Sequence, residues 1–384
     1  MMKFSKLAPT LFLPAFALAS CGNANSGEET SRTSDIDYSV TAMGEFDEPW
    51  ALAFAPGTET IFITEKPGTM RAVDTTSGTA IEVTGMPNID YGGQGGLGDV
   101  AFLPSEASED LSERTIYLSW AEAGNGNTRG AVLGRGTLSC EEEACAVSGL
   151  EVIWRQAPKT SKRGHYSHRI VFSPDEQYMF VSSGDRQELE PAQDNSNNLG
   201  TVVRLNLDGT PAAGNPFAKE GGITAEIWSY GHRNVLGLGF DPDGQLWDLE
   251  HGPAGGDEFN KVTRGTNYGW PTVSDGDHYN GDPIPDHATR PEFQTAAIGW
   301  TPVIAPGDFL FYTGDAFPAW KGDPLMVGLA SQGIVHVEVN GDTATEVARH
   351  DFNNRIRGIE QGPDGAVWLI EDGEGGKLLK VEPN

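Results

Sequence analysis

Four short segments of this chain hold residues of the types and spacing that chemistry needs. In RGHYSHRIVFSPDEQYMFVSSGDRQ, His165 and His168 precede a clear strand, and Asp185, Arg186 and Gln187 follow the partner strand at the same end. A histidine at neutral pH can accept a proton from a substrate hydroxyl, which is what alcohol oxidation demands. Taken alone, either histidine is more commonly a surface or hydrogen-bonded structural residue. A metal site on His165 and His168 is the weaker reading, because a three-residue spacing in a loop fixes no geometry and no third ligand is evident.

The second segment runs from Tyr230 to Pro271. Arg233 and Asn234 follow Gly231 and His232, and a strand pair returns through Glu250 and His251 to Gly252 and Pro253. Proline has no N–H, so a Gly-Pro turn can leave carbonyls free, and paired carbonyls suit a hard cation such as calcium. Asp257 and Glu258 add carboxylates directly afterwards, although an exposed acidic loop has the same composition. In the third segment, FNNRIRGIEQGPDGAVWL, alternation turns Arg355 and Arg357 to one face of a strand and Ile356 to the other. In an acidic chain this pair reads as recognition of a multiply anionic partner, or as a salt-bridged pair. The fourth segment, YGGQGGLGDVAF, sets Gln94 among Gly92, Gly93, Gly95 and Gly96. Glycines let backbone approach a ligand and the amide can donate and accept, though a simple turn is the plainer reading.

Residues this far apart need a scaffold that brings them together. A recurring unit of apolar strand, Pro-containing turn and second strand supplies one. Its instances are LAFAPGTETIFITEK, VAFLPSEASEDLSERTIYLSW, IVFSPDEQYMFVSSGD, LGFDPDGQLWDLEHG and GIEQGPDGAVWLIEDG, with FLFYTGDAFPAWKGDPLMVGL as a weaker sixth. Helical periodicity is nearly absent, and 49 glycines and 24 prolines punctuate the chain. Six units of roughly 55–60 residues, each with about four short antiparallel strands, predict an all-β, six-bladed β-propeller of four-stranded antiparallel blades. Two separate β-sandwiches would leave the repeated turn unexplained. In a propeller the loops of one rim converge, so the four segments can meet.

The ends of the chain and its charge bound where it works. Residues 1–20 carry two lysines, a short apolar run and small residues before Cys21, the pattern of a bacterial lipoprotein signal. Residues 21–38 read as a polar tether and 39–384 as the propeller domain. The expectation is an exported protein, lipid-anchored through Cys21 at the outer membrane, with no other membrane contact. Cys140 and Cys145 then remain for a local disulfide in an oxidising compartment. The formal charge of -29 argues against nucleic acid and anionic membrane surfaces as partners, and is compatible with bound calcium.

Taken together, YGHRN, EHGPAGGDEFN and GTNYGWP, in this order and spacing, resemble the soluble glucose dehydrogenase and aldose sugar dehydrogenase family. The similarity runs from about Trp50 to the C-terminus and includes GGQGGLGDVAF, the His-x-x-x-Arg-Ile-Val-Phe strand, WTPVIAP and NNRIRG. The resemblance implies a six-bladed propeller that uses calcium and pyrroloquinoline quinone (PQQ) to oxidise an aldose at C1 to its lactone, passing electrons to a quinone or another acceptor. By position His165 looks like the catalytic base that removes the C1 hydroxyl proton as hydride passes to PQQ, and Arg233 joins it as a catalytic residue. Gln94, Arg233, Asn234, Arg355 and Arg357 match positions that bind PQQ, whose three carboxylates account for the arginines. The carbonyls of Gly252 and Pro253 match those holding the calcium beside the cofactor, and Glu258 with the Tyr268 carbonyl resembles part of a second calcium site.

The chain departs from the family pattern in three places. His168 is bulky where a small residue is common, and could crowd the cavity or act as an alternative base. Near Ala330-Ser331-Gln332 the family often has a cofactor-contacting lysine, and none stands here; Leu236 and His251 replace glutamines found in some members. These departures keep two other readings open, a non-catalytic calcium-binding propeller that binds sugars or a partner, and a calcium-dependent lactonase.

Overall fold

The computed structural model describes residues 36–141 and 144–384, which fall within one compact unit, Thr33–Asn384. The predicted signal, Cys21 and the tether up to residue 35 lie outside the described residues. Strand β1 (Tyr38–Asp47) opens at the last residue of the predicted tether. Strands β2 (Pro49–Phe54), β3 (Thr60–Glu65), β4 (Thr69–Asp74) and β5 (Ala80–Thr84) form a first antiparallel unit. A second follows in β6 (Leu97–Phe102), β7 (Arg114–Ala123), β8 (Arg129–Glu141) and β9 (Ala144–Arg155). A short parallel pairing of β5 with β9 joins these two into one eight-stranded sheet.

The remaining sheets are four-stranded and antiparallel. One holds β10 (Ser167–Phe172), β11 (Tyr178–Ser183), β12 (Thr201–Asn206) and β13 (Ile227–Tyr230). The next holds β14 (Val235–Phe240), β15 (Leu246–Glu250), β16 (Asp257–Lys261) and β17 (Ile298–Trp300). It is followed by β18 (Pro306–Phe311), β19 (Pro324–Gly328), β20 (Gly333–Asn340) and β21 (Thr343–Asp351). In the last sheet β22 (Ile356–Gln361), β23 (Val367–Glu371) and β24 (Glu374–Pro383) are completed by β1, so the chain's two ends share a sheet. Helix among the described residues is confined to short 3-10 turns. This all-β arrangement of four-stranded units is consistent with a β-propeller.

Each predicted strand-turn-strand repeat is an antiparallel hairpin, the weaker sixth forming β18 and β19. The first strands of the hairpins touch in a closed ring, β2 to β6, β10, β14, β18, β22 and back to β2. The core lies between successive units. Phe62 and Met70 meet Leu97 and Ile116; Phe180 and Val202 meet Leu238 and Leu246; Leu52 and Ile61 meet Trp368 and Ile370. Near the ring's centre Arg169 of β10 donates from Nε to the Leu236 carbonyl at 2.6 Å, from Nη1 to Asp99 Oδ1 at 3.1 Å and from Nη2 to the Gly307 carbonyl at 3.0 Å. Its guanidinium also lies 4.3 Å from the Trp50 ring. One side chain from β10 therefore ties β2, β6, β14 and β18 together.

An antiparallel hairpin sets the start of its first strand beside the end of its second. Residues just before β2, β6, β10, β14 and β22, and just after β3, β11, β15, β19 and β23, consequently gather at one rim.

Candidate active site

A cavity of about 330 Å³ opens at that rim. The starts of the first strands contribute Glu48, Gln94, His165, Arg233, Asn234, Arg355 and Arg357 to its wall, and the ends of the second strands contribute Lys66, His251, Leu329 and Asp372. Six predicted residues, Gln94, His165, Arg233, Asn234, Arg355 and Arg357, are thus brought together from four of the antiparallel units. Gly252 and Pro253 do not line this cavity; they border an adjoining depression that shares His251 and Tyr279 with it. Glu258 and Tyr268 border a separate small void with Gly252.

His165 is buried, 7 % exposed, and held on two sides. Its backbone N–H donates to Gln94 Oε1 at 2.6 Å, and its Nδ1 lies 2.7 Å from Asp185 Oδ1. Asp185 in turn accepts from Trp270 Nε1 at 2.8 Å and from the Gln187 N–H at 2.7 Å. Burial pushes the Asp185 carboxyl up, but the His165 imidazole and these donors hold it below the usual carboxylate range. Desolvation pushes the His165 imidazole below its ordinary value; Asp185 opposes this, and Arg233 and Arg186 add to it. A carboxylate fixing a neutral ring through Nδ1–H leaves Nε2 as the acceptor, the form a general base needs. Strain accompanies the arrangement: His165, Ser167, His168, Arg186 and Gln187 all take positive φ, 49° to 63°.

Sequence reasoning placed Asp185 at this rim but missed its role, and it missed Asp372, Glu48 and Lys66 altogether. The available signal was position in the repeat, since Asp185, Asp372 and Lys66 all follow the second strand of a hairpin.

His168 lines the cavity, but its ring is fixed in the wall. Its ring stacks on Trp50 at 4.8 Å and 12°, and Nδ1 lies 2.7 Å from Ser119 Oγ. Burial, with Arg169 and Arg186 nearby, brings its pKa to about 3. The room comes from Gly98 on β6, where a Cβ would fall 1.9 Å from His168 Cε1. Gly98→Ala is therefore expected to destabilise the fold by about 1–3 kcal/mol through overpacking. Urea unfolding checks this, and an unchanged midpoint would show that His168 can move aside.

Arg355 and Arg357 meet one carboxylate. Arg357 donates to Asp372 Oδ1 from Nε at 2.8 Å and Nη2 at 2.6 Å, and Arg355 donates to Oδ2 from Nε at 2.8 Å. Both readings of the pair hold in part: the arginines are salt-bridged, and they line the cavity. Burial pushes the Asp372 carboxyl up, yet Arg357 and Arg355 keep it below the usual range. Arg233 donates from Nη1 to the His251 carbonyl at 3.1 Å and from Nη2 to Tyr279 Oη at 3.2 Å, while its buried Nε has no partner among the described residues. A cavity of this size with three guanidinium groups fits a planar polyanion of PQQ's chemistry.

The predicted cation positions have the following surroundings. The Gly252 N–H donates to Asp257 Oδ1 at 2.9 Å and the Ala305 N–H to Oδ2 at 2.7 Å, which pins the turn. Neither the Gly252 nor the Pro253 carbonyl accepts a hydrogen bond among the described residues. Below, Asp248, Glu250 and Glu258 are all buried on β15 and β16, and Asn260 Nδ2 serves all three at 3.1, 3.2 and 3.2 Å. His232 Nδ1 lies 3.0 Å from Glu250 Oε1 and 3.4 Å from Asp248 Oδ2, and the Arg233 N–H donates to Glu250 Oε2 at 2.7 Å. Desolvation and then the neighbouring Glu250 push Asp248 and Glu258 well above the usual carboxylate range. Three carboxylates crowd together here, and the void of about 10 Å³ that Glu258 and Tyr268 help to line is the size of one ion or water.

Residues 46–380 match the model of the glucose/sorbosone dehydrogenase family. The aldose sugar dehydrogenase YliI of Escherichia coli K12 is 37% identical over 344 residues, 88% of this chain and 91% of that protein. The crystal structure of a soluble aldose sugar dehydrogenase from Escherichia coli in the apo form superposes with a TM-score of 0.83 at 35% identity, covering 90% of this chain and all of the other. A PQQ-bound aldose sugar dehydrogenase from Streptomyces coelicolor shares the fold, with a TM-score of 0.72 at 24% identity over 91% of this chain and 99% of the other.

Proposed function

This chain belongs to the glucose/sorbosone dehydrogenase family, an oxidoreductase family, and from that premise we propose that it is a PQQ- and calcium-dependent aldose sugar dehydrogenase built as a six-bladed propeller. The observation that carries the proposal is the single cavity in which a neutral, carboxylate-oriented histidine faces three arginines drawn from distant hairpins. The closed ring of six hairpins supports the blade count. The PQQ reported in the Streptomyces structure of the same fold supports the cofactor.

Bound PQQ would supply the two-electron acceptor, and calcium at the Gly252 and Pro253 carbonyls would draw electron density from it. The chain's own residues do the rest. Arg355 and Arg357, steadied by Asp372, and Arg233 with its unpartnered Nε hold carboxylates, and Gln94 and Asn234 fix the cavity's edge. His165 Nε2 takes the C1 hydroxyl proton while the C1 hydrogen leaves with its electron pair, so C1–O becomes the lactone carbonyl. Asp185 stabilises the imidazolium that results.

We further propose export and lipid anchoring at Cys21, with PQQ electrons passing to a quinone or other acceptor. The Cys140–Cys145 disulfide supports an oxidising compartment.

Reconstitution tests the function. Apo-protein incubated with PQQ and calcium is expected to reduce a redox dye with one or more aldoses, and with neither addition alone. Absence of PQQ binding by calorimetry, or lactone cleavage without cofactor, would overturn the proposal.

A further inference from the structure

Where the family pattern leads one to expect a lysine, near Ala330, the cavity wall offers only Leu329. Another cation stands elsewhere on the same wall. Lys66, directly after β3, is anchored beside the Gln94 loop, its carbonyl accepting from the Leu97 N–H at 3.0 Å. Its Nζ donates to Glu48 Oε2 at 2.6 Å, and Tyr91 Oη donates to Glu48 Oε1 at 2.5 Å. Glu48 is thus pinned by the phenol and orients the ammonium, whose side chain is 19% exposed.

An ammonium has three donors, and among the described residues Lys66 Nζ uses one. Arg355 and Arg357 each commit Nε and Nη2 to Asp372. Lys66 offsets Glu48, so four cationic side chains face two carboxylates, Glu48 and Asp372, and the wall keeps a positive excess for an anionic ligand. We propose that Lys66 is a cofactor-binding residue: it donates to a carboxylate of PQQ, supplying from the first hairpin the cation that the wall near Ala330 lacks. Glu48 and Tyr91 are its positioning residues. The assignment rests on the PQQ reading of the site.

Calorimetric titration of PQQ into calcium-loaded apo-protein tests it without recourse to turnover. Lys66→Met is expected to raise Kd by about 10- to 100-fold, the loss of one charge-assisted hydrogen bond, and to flatten the salt dependence of binding. Lys66→Arg should restore most of the affinity. An unaltered circular dichroism spectrum and melting temperature in Lys66→Met keep the comparison clean. A variant Kd within twofold of wild type overturns the assignment alone. Wild-type protein that binds no PQQ overturns both the assignment and the functional reading beneath it.

Discussion

His165→Ala is expected to lower kcat by about 10²- to 10⁴-fold, the usual worth of a positioned general base, while PQQ affinity stays within a few fold of wild type. The split follows from what His165 touches. Its Nδ1 is committed to Asp185 and its backbone to Gln94, so the side chain contributes one acceptor atom to the cavity and no charge. Arginines that hold carboxylates are untouched by the change. The pH profile offers an independent check. In the proposed mechanism the active form is the neutral ring, and desolvation holds its pKa below the ordinary imidazole value, so activity should be lost only as pH falls through that lowered value and should be flat above it. Wild-type turnover in His165→Ala would sink the assignment. Equal losses in turnover and PQQ binding would make His165 a cofactor-holding residue instead.

Removing calcium is expected to lower the melting temperature by several degrees, because a cation held by the folded state alone contributes about 2.7 kcal/mol at a hundredfold excess over its Kd. The physical demand comes from β15 and β16. Antiparallel pairing sets Glu250 opposite Glu258 and Asp248 opposite Asn260, which gathers three carboxylates in the protein interior around the Asn260 amide, with His232 and the Arg233 N–H serving Glu250. Charges buried without partners are costly, and a divalent ion at Glu258 and the Tyr268 carbonyl would offset that cost. His287 spans the same place: its Nε2 lies 3.1 Å from the Tyr268 carbonyl, and its buried Nδ1, without a hydrogen-bond partner among the described residues, lies 3.8 Å from Glu258 and 3.6 Å from Asp275. Calorimetric scans with calcium and with a chelator check the shift. Glu258→Gln should abolish most of the difference between the two scans. A wild-type melt indifferent to calcium, or a variant that responds like wild type, would remove the cation from this site.

Much of the scaffold was legible in the chain. Runs such as LAFAPGTETIFITEK read as hairpins because apolar strands broken by a Pro-containing turn have few other ways to bury both faces, and all six instances fold that way. Residues at the hairpin ends were legible as candidates for the same reason, since alternation fixes which way Arg355 and Arg357 point. Side chains whose role depends on another unit were not. Asp185 became the partner of His165 only where the ends of β10 and β11 meet, and Asp372 settled between two arginines seventeen and fifteen residues away.

His168 shows the division most clearly. From the sequence it was a bulky departure beside the predicted base; in the fold it is a buried ring stacked in the cavity wall, because Gly98 from β6 leaves room and Trp50 from β2 supplies a face. The sequence by itself determined the repeating hairpin, the rim on which chemistry could gather and the residue types available there, since these depend on local periodicity and turn chemistry. Only the tertiary structure decided which charges are partnered and which histidine a carboxylate orients. Those outcomes depend on burial and on distances between loops separated by scores of residues, and closure of the ring is what sets both.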